Sequence, residues 1–439
     1  MVPQLPLKPI TSGGKLIYDE LHGYVELTEA ERRVIDTPTF QRLRFIKQLA
    51  AAWYVYPGAT HTRFSHSIGT LFIMDVIAKS LAKQGWIRDD DVGLLRLAAL
   101  LHDVGHMPFS HAIESVYASM PEEMTHIKLS AEIVLQDSDI KEAISSAGYD
   151  PYEVASIILG KYREPLYNQL LSSDLDADRI DYLLRDAHHT GVAYGLIDAR
   201  RIMATITIDG EGNLAIQEKG IQAIENFYIA RMHMYQSVYY HKTIVGYELL
   251  LSIIYRRLIE EALDLRDFRS STYLRELIRE EKIRYWHDGW LIGKMINALN
   301  DKDVSDLTKQ LIDMFLSRRG YKVVVDLSRL SSTHLSTEDE VVKTLYEIEE
   351  ILEDQGLGPP RVTMFIDDIP IVNRDEAVRV VFTSEKSEPI WRLKNSIISS
   401  IPTNYHVKRL YSIPLVIGKV REIADQVFKK RSLKWEKYI

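Results

Sequence analysis

Three histidines and an aspartate fall within ten residues at the end of an apolar run, in Leu100-Leu-His-Asp-Val-Gly-His-Met-Pro-Phe-Ser-His111. An ionisable group buried without a partner costs several kcal/mol, and a divalent metal would be such a partner, because neutral imidazole and carboxylate are metal ligands. His102 and His106 share a face if the segment is helical, Pro108 ends that helix, and His111 begins the next element. The alternative is a helix end where histidines interact favourably with the helix dipole.

Two further segments carry the same residue types. His61-Thr-Arg-Phe-Ser-His66 lies upstream, and Ser172-Ser-Asp-Leu-Asp-Ala-Asp-Arg-Ile-Asp-Tyr182 lies downstream. Two imidazoles and two carboxylates would leave coordination positions open for water and a phosphate oxygen. The order of a histidine, a His-Asp pair and a distant aspartate resembles the ligand order of a known metalloenzyme family, the HD-domain phosphohydrolases, and this resemblance makes His66, His102, Asp103 and Asp178 the predicted metal ligands. This set suits Mn²⁺, Fe²⁺, Ni²⁺, Zn²⁺ or Mg²⁺ and does not choose among them. Taken singly, the first histidine could also be a surface residue, and the last aspartate a helix cap.

From about Lys15 to about Lys242, the chain is most similar to the dNTP triphosphohydrolase branch of these HD-domain metal-dependent phosphohydrolases, including the dGTPase-like enzymes. The resemblance implies attack of water at the α-phosphorus, which releases deoxynucleoside and inorganic triphosphate. Two alternatives stay open. One is another HD-domain nucleotide phosphohydrolase, a monophosphatase or phosphodiesterase. The other is a non-catalytic nucleotide sensor or single-stranded nucleic-acid binder on the same fold.

A second set of residues matches the catalytic positions of that branch: His106, His111, Glu114 and His126. The resemblance places these histidines over the α-phosphate, with one acting as general acid or base beside a carboxylate. Histidine suits proton transfer because its pKa lies near neutral pH. His111 and Glu114 are three residues apart, so on a helix the acid can orient the imidazole. The family more often has aspartate where this chain has Glu114.

Two polar stripes are predicted to bind substrate. Asp178, Tyr182, Arg185 and Asp186 lie on one face of one helix, and Arg231, Tyr235, Tyr239 and Lys242 form a second stripe, which could also be an ordinary amphipathic face. The resemblance gives Tyr182 and Asp186 sugar contacts and places Tyr239 where a 2′-hydroxyl would clash. The full predicted substrate set is Gln48 for the 3′-hydroxyl, Arg63, Arg179 and Arg231 for the phosphates, and Tyr182, Asp186, Tyr235 and Tyr239 around the nucleoside. The family has lysine at position 179 and histidine at position 235.

A third match, Val34-Ile-Asp-Thr-Pro-Thr-Phe-Gln-Arg-Leu-Arg-Phe-Ile-Lys-Gln-Leu49, falls on the guanine-reading activator site that this branch forms between subunits. A carboxylate can accept hydrogen bonds from guanine N1–H and N2–H, and arginine can donate to O6 and N7. The predicted activator-binding residues are Asp36, Gln41 and Arg44, with phosphate contacts from Lys15, Arg201 and Lys219. The implied activator is GTP or dGTP, and the implied assembly is a homo-oligomer such as a tetramer. Asp36 before Thr37-Pro38 could instead be a simple turn.

Hydrophobic periodicity predicts the elements that position these residues. Two short extended segments flank a His22-Gly23 turn within residues 14–28. Helices are predicted at 29–48, 66–84, 91–106, 127–136, 151–159, 177–187 and 221–262, with a hairpin over Arg201–Gln217 that turns at Asp209-Gly-Glu-Gly212. The fold class is therefore mainly α.

Beyond residue 265 the pattern changes. Helix continues to about residue 318, and β-like runs follow at Lys322–Asp326, Arg361–Ile366 and Val378–Phe382. We expect an HD-domain helical core with an N-terminal activator-binding segment at 1–265 and a smaller mixed α/β lobe at 266–439. The lobe shows no catalytic constellation, so its expected role is assembly.

Composition limits the partners and the compartment. The 439 residues are 46% apolar, carry a net charge of −8 and include no cysteine, which excludes disulfides and thiolate sites. An acidic chain without a basic stripe is not typical of a nucleic-acid binder. No apolar run is long enough for a membrane span, and Met1–Lys8 lacks the apolar core of a secretory signal. A cytoplasmic protein without membrane partners is expected.

Overall fold

The computed structural model describes residues 15–332, 339–383 and 386–431, so the Met1–Lys8 segment lies outside the described residues. Within these ranges the chain is mainly helical with three small β-sheets, which confirms the predicted fold class. The helices are α1 (Glu29–Ile35), α2 (Pro38–Gln41), α3 (Arg63–Lys83), α4 (Asp91–Leu101), α5 (His111–Ala118), α6 (His126–Gln136), α7 (Ser138–Ser145), α8 (Pro151–Ile158), α9 (Pro165–Leu171), α10 (Ala177–Thr190), α11 (Ala199–Thr205), α12 (Ile221–Met234), α13 (Lys242–Glu261), α14 (Ser271–Arg279), α15 (Asp288–Ala298), α16 (Asp306–Leu316), α17 (Glu340–Asp354) and α18 (Ile417–Lys430).

The strands belong to three separate sheets. An N-terminal antiparallel hairpin pairs β1 with β2, β3 and β4 form a sheet with β8 and β9, and β10 is the centre of a third sheet with β5, β6 and β7. Their bounds are β1 (Lys15–Asp19), β2 (Gly23–Leu27), β3 (Ile206–Ile208), β4 (Leu214–Gln217), β5 (Lys322–Asp326), β6 (Arg329–Ser331), β7 (Val362–Pro370), β8 (Arg379–Thr383), β9 (Lys386–Pro389) and β10 (Asn404–Ser412).

The predicted helix at 29–48 is wrong, because the structure divides it. Thr28 caps α1 with a capping box, and the helix ends at Ile35. Thr37 then caps a new short helix, with Pro38 at its first position, which is a favoured start. A 3-10 turn over Arg42–Phe45 follows. The result is a bent segment that places Gln48 beside the start of α3, where its backbone N–H donates to the His61 carbonyl at 3.0 Å.

The predicted helix at 91–106 also ends early, at Leu101. His102 and His106 therefore lie on a turn rather than on one helical face. Gly105 is required there, since a Cβ would lie 2.3 Å from the Ser130 backbone nitrogen. The buried Arg42 holds the turn by donating to the carbonyls of Val104 at 2.5 Å and His106 at 2.9 Å.

The predicted helix at 221–262 is interrupted as well. α12 continues into a π-helical turn over Tyr235–Tyr239, and α13 begins after His241, whose side chain accepts a hydrogen bond from the Thr243 backbone nitrogen. π-turns are rare and occur frequently at functional sites. The predicted stripe from Arg231 to Lys242 is thus carried by two helices and the turn between them. The hairpin is confirmed at β3–β4, but it begins at Ile206 because Ala199–Thr205 is helical.

The region after residue 265 packs into the same core as the region before it. Strand β8 pairs in parallel with β4, and one hydrophobic cluster contains residues from α3, α12, α13 and the β7–β10 region. A second cluster lies between α17, α18 and their sheet, around Val324, Leu345 and Val420. The division into domains at residue 265 stays a prediction. In the described part of the chain, none of the helices has the length and apolar character needed to cross a membrane.

Candidate active site

Three side chains from three helical elements converge on one point. His66 lies in the first turns of α3, His102 is the C-cap of α4, and Asp178 lies in the first turn of α10. The start of α10 is capped by Asp176, whose side chain accepts a hydrogen bond from the Arg179 backbone nitrogen at 2.7 Å. One ligand atom of each lies within 4.8 Å of the others. His66 Nε2 is 2.9 Å from Asp178 Oδ1. These are three of the four predicted metal ligands.

Asp103, the fourth, borders the same cluster. Its Oδ1 lies 3.3 Å from His102 Nε2, and its Oδ2 lies 3.7 Å from His66 Nε2. Arg63 Nη1 donates to Oδ2 at 2.8 Å, and His106 Nε2 lies 3.1 Å from Oδ1. Burial would raise the pKa of Asp103, but the charges of His102 and Arg63 hold it well below its usual value. The group is therefore a carboxylate.

The donor set fits a divalent metal. The buried Nε2 of His102 has no hydrogen-bond partner among the described residues, whereas its Nδ1 donates to the Ala99 carbonyl at 2.7 Å. His66 likewise uses Nδ1 for a protein carboxylate, Asp181 Oδ2 at 2.8 Å. Both imidazoles are thus fixed with Nε2 directed at the cluster, which is the usual arrangement of metal-bound histidines. Burial opposes protonation of His66, but Asp178 and Asp181 raise its pKa to about 10, so a bound cation would have to displace that proton.

The four predicted catalytic residues lie together beside this cluster. Glu114 Oε2 accepts from His111 Nδ1 and Glu114 Oε1 accepts from His126 Nδ1, each at 2.8 Å, so the predicted His111–Glu114 contact is present. The rings of His106 and His126 stack with centroids 4.1 Å apart. Burial and the charges of Arg63 and His126 hold the pKa of His106 well below its usual value, which keeps that imidazole neutral.

A cavity of about 560 Å³ opens beside both sets. Asp103, Asp178 and the imidazoles of His106, His111 and His126 line one part of its wall, whereas His66, His102 and Glu114 are not among the described residues that line it. Seven of the eight predicted substrate residues also line it: Gln48, Arg63, Arg179, Tyr182, Asp186, Tyr235 and Tyr239. Its size falls in the range of small-molecule sites, which is about 300–1,000 Å³.

The chain matches two family models, the HD domain over residues 63–186 and the HD-associated region over residues 197–394. An uncharacterized protein of Methanocaldococcus jannaschii is 39% identical over 379 residues, which are 80% of this chain and 78% of that protein. The chain belongs to the HD-domain family. The human deoxynucleoside triphosphate triphosphohydrolase SAMHD1 is 30% identical over 263 residues, 52% of this chain and 42% of the human protein. A crystal structure described as a phosphohydrolase from Bacteroides thetaiotaomicron has a TM-score of 0.71 at 26% identity and covers 91% of this chain and 99% of that one.

Aromatic rings form the other side of this HD-domain cavity. The rings of Tyr182 and Tyr239 meet edge to face at 5.9 Å, and Tyr239 donates its hydroxyl hydrogen to Asp186 at 2.8 Å. Asp186 also binds His61 Nε2 at 2.8 Å. Arg231 does not line the cavity: it lies behind Tyr235, donates to the Tyr235 hydroxyl at 3.0 Å and pairs with the buried Asp174.

Four of the six predicted activator residues form two separate pairs. Arg44 donates to Gln41 at 2.7 Å and lies over the Phe64 ring, and Arg201 donates to the Lys219 carbonyl at 2.8 Å. No hydrogen bond or ion pair joins the two pairs within residues 15–332. Asp36 binds Arg32 at 2.8 Å, and Lys15 is exposed at the start of β1. A ligand-binding role for these six residues stays a prediction.

Several residues of the site were not predicted from the sequence. Asp181 on α10 supports His66, and Phe365 and Asp367 of β7 line the cavity, although the C-terminal lobe showed no chemical motif. Glu248 on α13 also lines the cavity, and burial raises its pKa to about 8. Asp181 follows Asp178 by three residues, a helical spacing that could have identified it. Nothing in the sequence connects β7 with this cavity.

Proposed function

We propose that this HD-domain protein is a metal-dependent dNTP triphosphohydrolase that releases deoxynucleoside and inorganic triphosphate. One observation carries the proposal: a single cavity is lined by Asp178 of the His66–His102–Asp178 cluster, by the imidazoles of His106, His111 and His126, and by the Tyr182–Tyr239–Asp186 wall. The similarity to a curated deoxynucleoside triphosphate triphosphohydrolase supports this choice of substrate.

His66, His102, Asp103 and Asp178 would hold the metal. A divalent ion bound there supplies Lewis-acid polarisation of a phosphoryl oxygen and lowers the pKa of water. The rest of the chemistry belongs to the chain. Arg63 and Arg179 line the cavity and offer positive charge to the phosphates. Arg179 is suited to this because its buried Nη1 makes no hydrogen bond to a described residue and has only longer ion pairs, with Asp174 at 3.6 Å and Asp176 at 3.9 Å.

The imidazoles around Glu114 would move the proton. Burial would raise the pKa of Glu114, but hydrogen bonds from His111 and His126 lower it far below its usual value, so the carboxylate stays ionised and orients both rings. His126 turns Nδ1 to Glu114, which leaves Nε2 to give a proton to the departing 5′-oxygen or take one from water. The side chain of His111 is 67% exposed, so it can exchange protons with solvent.

Around the sugar, Tyr239 is held by Asp186 and leaves little space beside the deoxyribose.

We further propose a guanine nucleotide, GTP or dGTP, as an activator at Asp36, Gln41 and Arg44, with binding coupled to assembly into a homo-oligomer. Lys15, Arg201 and Lys219 would contribute phosphate contacts. Two observations support this proposal. Lys15 is exposed at the start of β1, and Arg44, which pairs with Gln41, is exposed as well, so a ligand can reach these side chains without any change in secondary structure.

The test is product analysis. Protein loaded with Mn²⁺ is incubated with each dNTP, alone and with GTP, and the products are separated by ion exchange. Deoxynucleoside and triphosphate are expected, and Asp178→Ala should abolish turnover, whereas His188→Ala, an exposed histidine on the same helix, should not. Monophosphate with pyrophosphate would favour another HD-domain phosphohydrolase. Loss of turnover in His111→Ala with retained nucleotide-induced assembly would favour the enzyme over a sensor.

A further inference from the structure

We propose that the N-terminal β1–β2 hairpin positions the metal ligand His66, with His22 acting through the buried carboxylate of Asp181. His22 is then a positioning residue of the active site, although it lies 44 positions before His66 in the sequence. The inference rests on the proposed role of His66 as a metal ligand.

The buried Asp181 carboxylate joins two imidazoles. Its Oδ2 lies 2.8 Å from His66 Nδ1, and its Oδ1 lies 2.7 Å from His22 Nε2. The side chain of Asp181 is completely buried, and that of His22 is 7% exposed. A carboxylate only accepts hydrogen bonds, so each imidazole must donate its N–H. With the Nε2 proton displaced by a cation, His66 would be fixed in the tautomer that carries its hydrogen on Nδ1 and presents the lone pair of Nε2 to the metal.

Arg185 connects the same carboxylate to the hairpin. It donates to Asp181 through Nε at 2.8 Å and through Nη2 at 3.0 Å. On its other side it pairs with Asp19 Oδ2 at 2.9 Å and with Glu20 Oε1 at 2.7 Å. Asp19 Oδ1 also accepts from the backbone nitrogens of Leu21 and His22, each at 2.9 Å. Asp19 therefore has two roles: it stabilises the turn that carries His22, and it holds Arg185 in place.

Helix α3 provides the space for this arrangement. A Cβ on Gly69 would lie 1.9 Å from Asp181 Oδ1 and 2.3 Å from Arg185 Nη2, so any larger residue would push the pair away. One turn further along α3, Phe72 stacks on the His22 ring with centroids 4.7 Å apart and planes 16° apart. Helix α3 thus carries His66 and, through Phe72, also fixes the ring of His22, which supports His66 through Asp181.

The experiment compares two substitutions of His22 by their affinity for Mn²⁺. His22→Phe keeps a ring that can stack on Phe72 but donates nothing to Asp181, whereas His22→Gln keeps an N–H donor. Removing a residue that hydrogen-bonds directly to a metal ligand costs about 10–100-fold in metal affinity, and because His22 acts one residue further out, through Asp181, we expect the lower end of that range, about tenfold. We expect that increase in Kd for His22→Phe, measured from the electron paramagnetic resonance signal of free Mn²⁺, and recovery of most of the affinity in His22→Gln. At saturating Mn²⁺, the KM for nucleotide should be unchanged.

Asp178→Ala separates the two hypotheses. If Asp178→Ala binds Mn²⁺ as wild type does, the proposed metal site itself is wrong. If Asp178→Ala loses Mn²⁺ but His22→Phe binds it as tightly as wild type does, only the positioning role is overturned. Should His22→Phe fail to fold, Zn²⁺-loaded wild type labelled with ¹⁵N-histidine provides the test by NMR. Slowly exchanging protons on both His66 Nδ1 and His22 Nε2 are expected, absent in His66→Gln and His22→Gln respectively, and absence of the His22 Nε2–H signal in wild type would overturn the inference.

Discussion

Glu114 holds His126 by two contacts to the same oxygen: Oε1 accepts from the His126 backbone nitrogen at 2.9 Å and from its Nδ1 at 2.8 Å. The first contact fixes the start of α6, and the second fixes the direction of the ring. The His126 ring therefore cannot rotate without losing its bond to Glu114, and the backbone contact keeps the residue itself beside that carboxylate. A proton-transferring imidazole gains from such fixed geometry, since misplacement by a fraction of an ångström lowers the rate.

Glu114→Gln should lower kcat about a hundredfold or more, the usual contribution of a general acid or base. An amide has only one oxygen, so it cannot accept from both His111 and His126, and one ring loses its orientation. Steady-state kinetics at saturating Mn²⁺ would measure this, with Glu123→Gln as the control because Glu123 is exposed and pairs only with Lys128 at the surface. Equal kcat values for the two variants would remove Glu114 from the proposed mechanism.

The pH dependence of stability should reveal Glu248. Burial raises its pKa from the ordinary value of 4.5 to about 8, and it makes no hydrogen bond or ion pair with any described residue. A carboxyl whose pKa is raised by folding contributes stability that is complete below the unfolded pKa and is lost as pH rises through the folded one. Between pH 4.5 and about 8, this group should make wild type steadily less stable.

Glu248→Gln removes that titration. The melting temperature of Glu248→Gln minus that of wild type should therefore increase from pH 5 to pH 8 and then level off, as measured by thermal unfolding of metal-free protein. Glu260→Gln, an exposed position on the same helix, is the matched control and should show no such trend. A constant difference for Glu248→Gln would mean that the side chain is ionised and solvated throughout.

The residues of the candidate site could be predicted from the sequence better than the backbone conformation that positions them. His66, His102, Asp103 and Asp178 were predicted from residue types and order, and the structure brings them together. The helix expected at 91–106 ends at Leu101, however, because the turn that follows is held by Arg42 and Ser130 from other elements. On a continuous helix Asp103 would point about 100° away from His102, so the turn is what brings Asp103 Oδ1 within 3.3 Å of His102 Nε2.

Residues that act through long-range contacts could not be predicted. Asp288 accepts from the backbone nitrogens of Lys47 at 3.0 Å and Phe109 at 2.7 Å, which lie 241 and 179 positions away. Nothing in the local pattern around Asp288 indicates these partners. The same holds for Asp367. It lies on β7, which pairs with β10, and the local sequence around Asp367 does not show that this strand borders the cavity. Hydrophobic periodicity identifies elements, but not which of them meet.

Tyr239 should control discrimination between deoxyribonucleotides and ribonucleotides. Its ring lines the cavity, and its hydroxyl is tied to Asp186, so the ring cannot move aside for a 2′-hydroxyl. Tyr239→Ala should lower the ratio of kcat/KM for dNTP over rNTP about tenfold or more, or about 1.4 kcal/mol. Tyr239→Phe keeps the ring but loses its bond to Asp186, so it should give a ratio between those of wild type and Tyr239→Ala. If neither variant accepts ribonucleotides better than wild type, another residue excludes the 2′-hydroxyl.

Two helical glycines should respond in opposite directions to the same substitution. Gly69→Ala places a methyl group 1.9 Å from Asp181 Oδ1, and such overpacking costs about 1–3 kcal/mol. Gly293→Ala on α15 has open space around the new methyl and should stabilise by about 0.5–1 kcal/mol, because alanine loses less backbone entropy on folding. Urea unfolding of the metal-free proteins gives both values.

The Asp181–Arg185 pair is also displaced in Gly69→Ala, so this variant should bind Mn²⁺ more weakly than Gly293→Ala does. A stable Gly69→Ala protein with wild-type Mn²⁺ affinity would show that α3 and α10 can separate without disturbing His66.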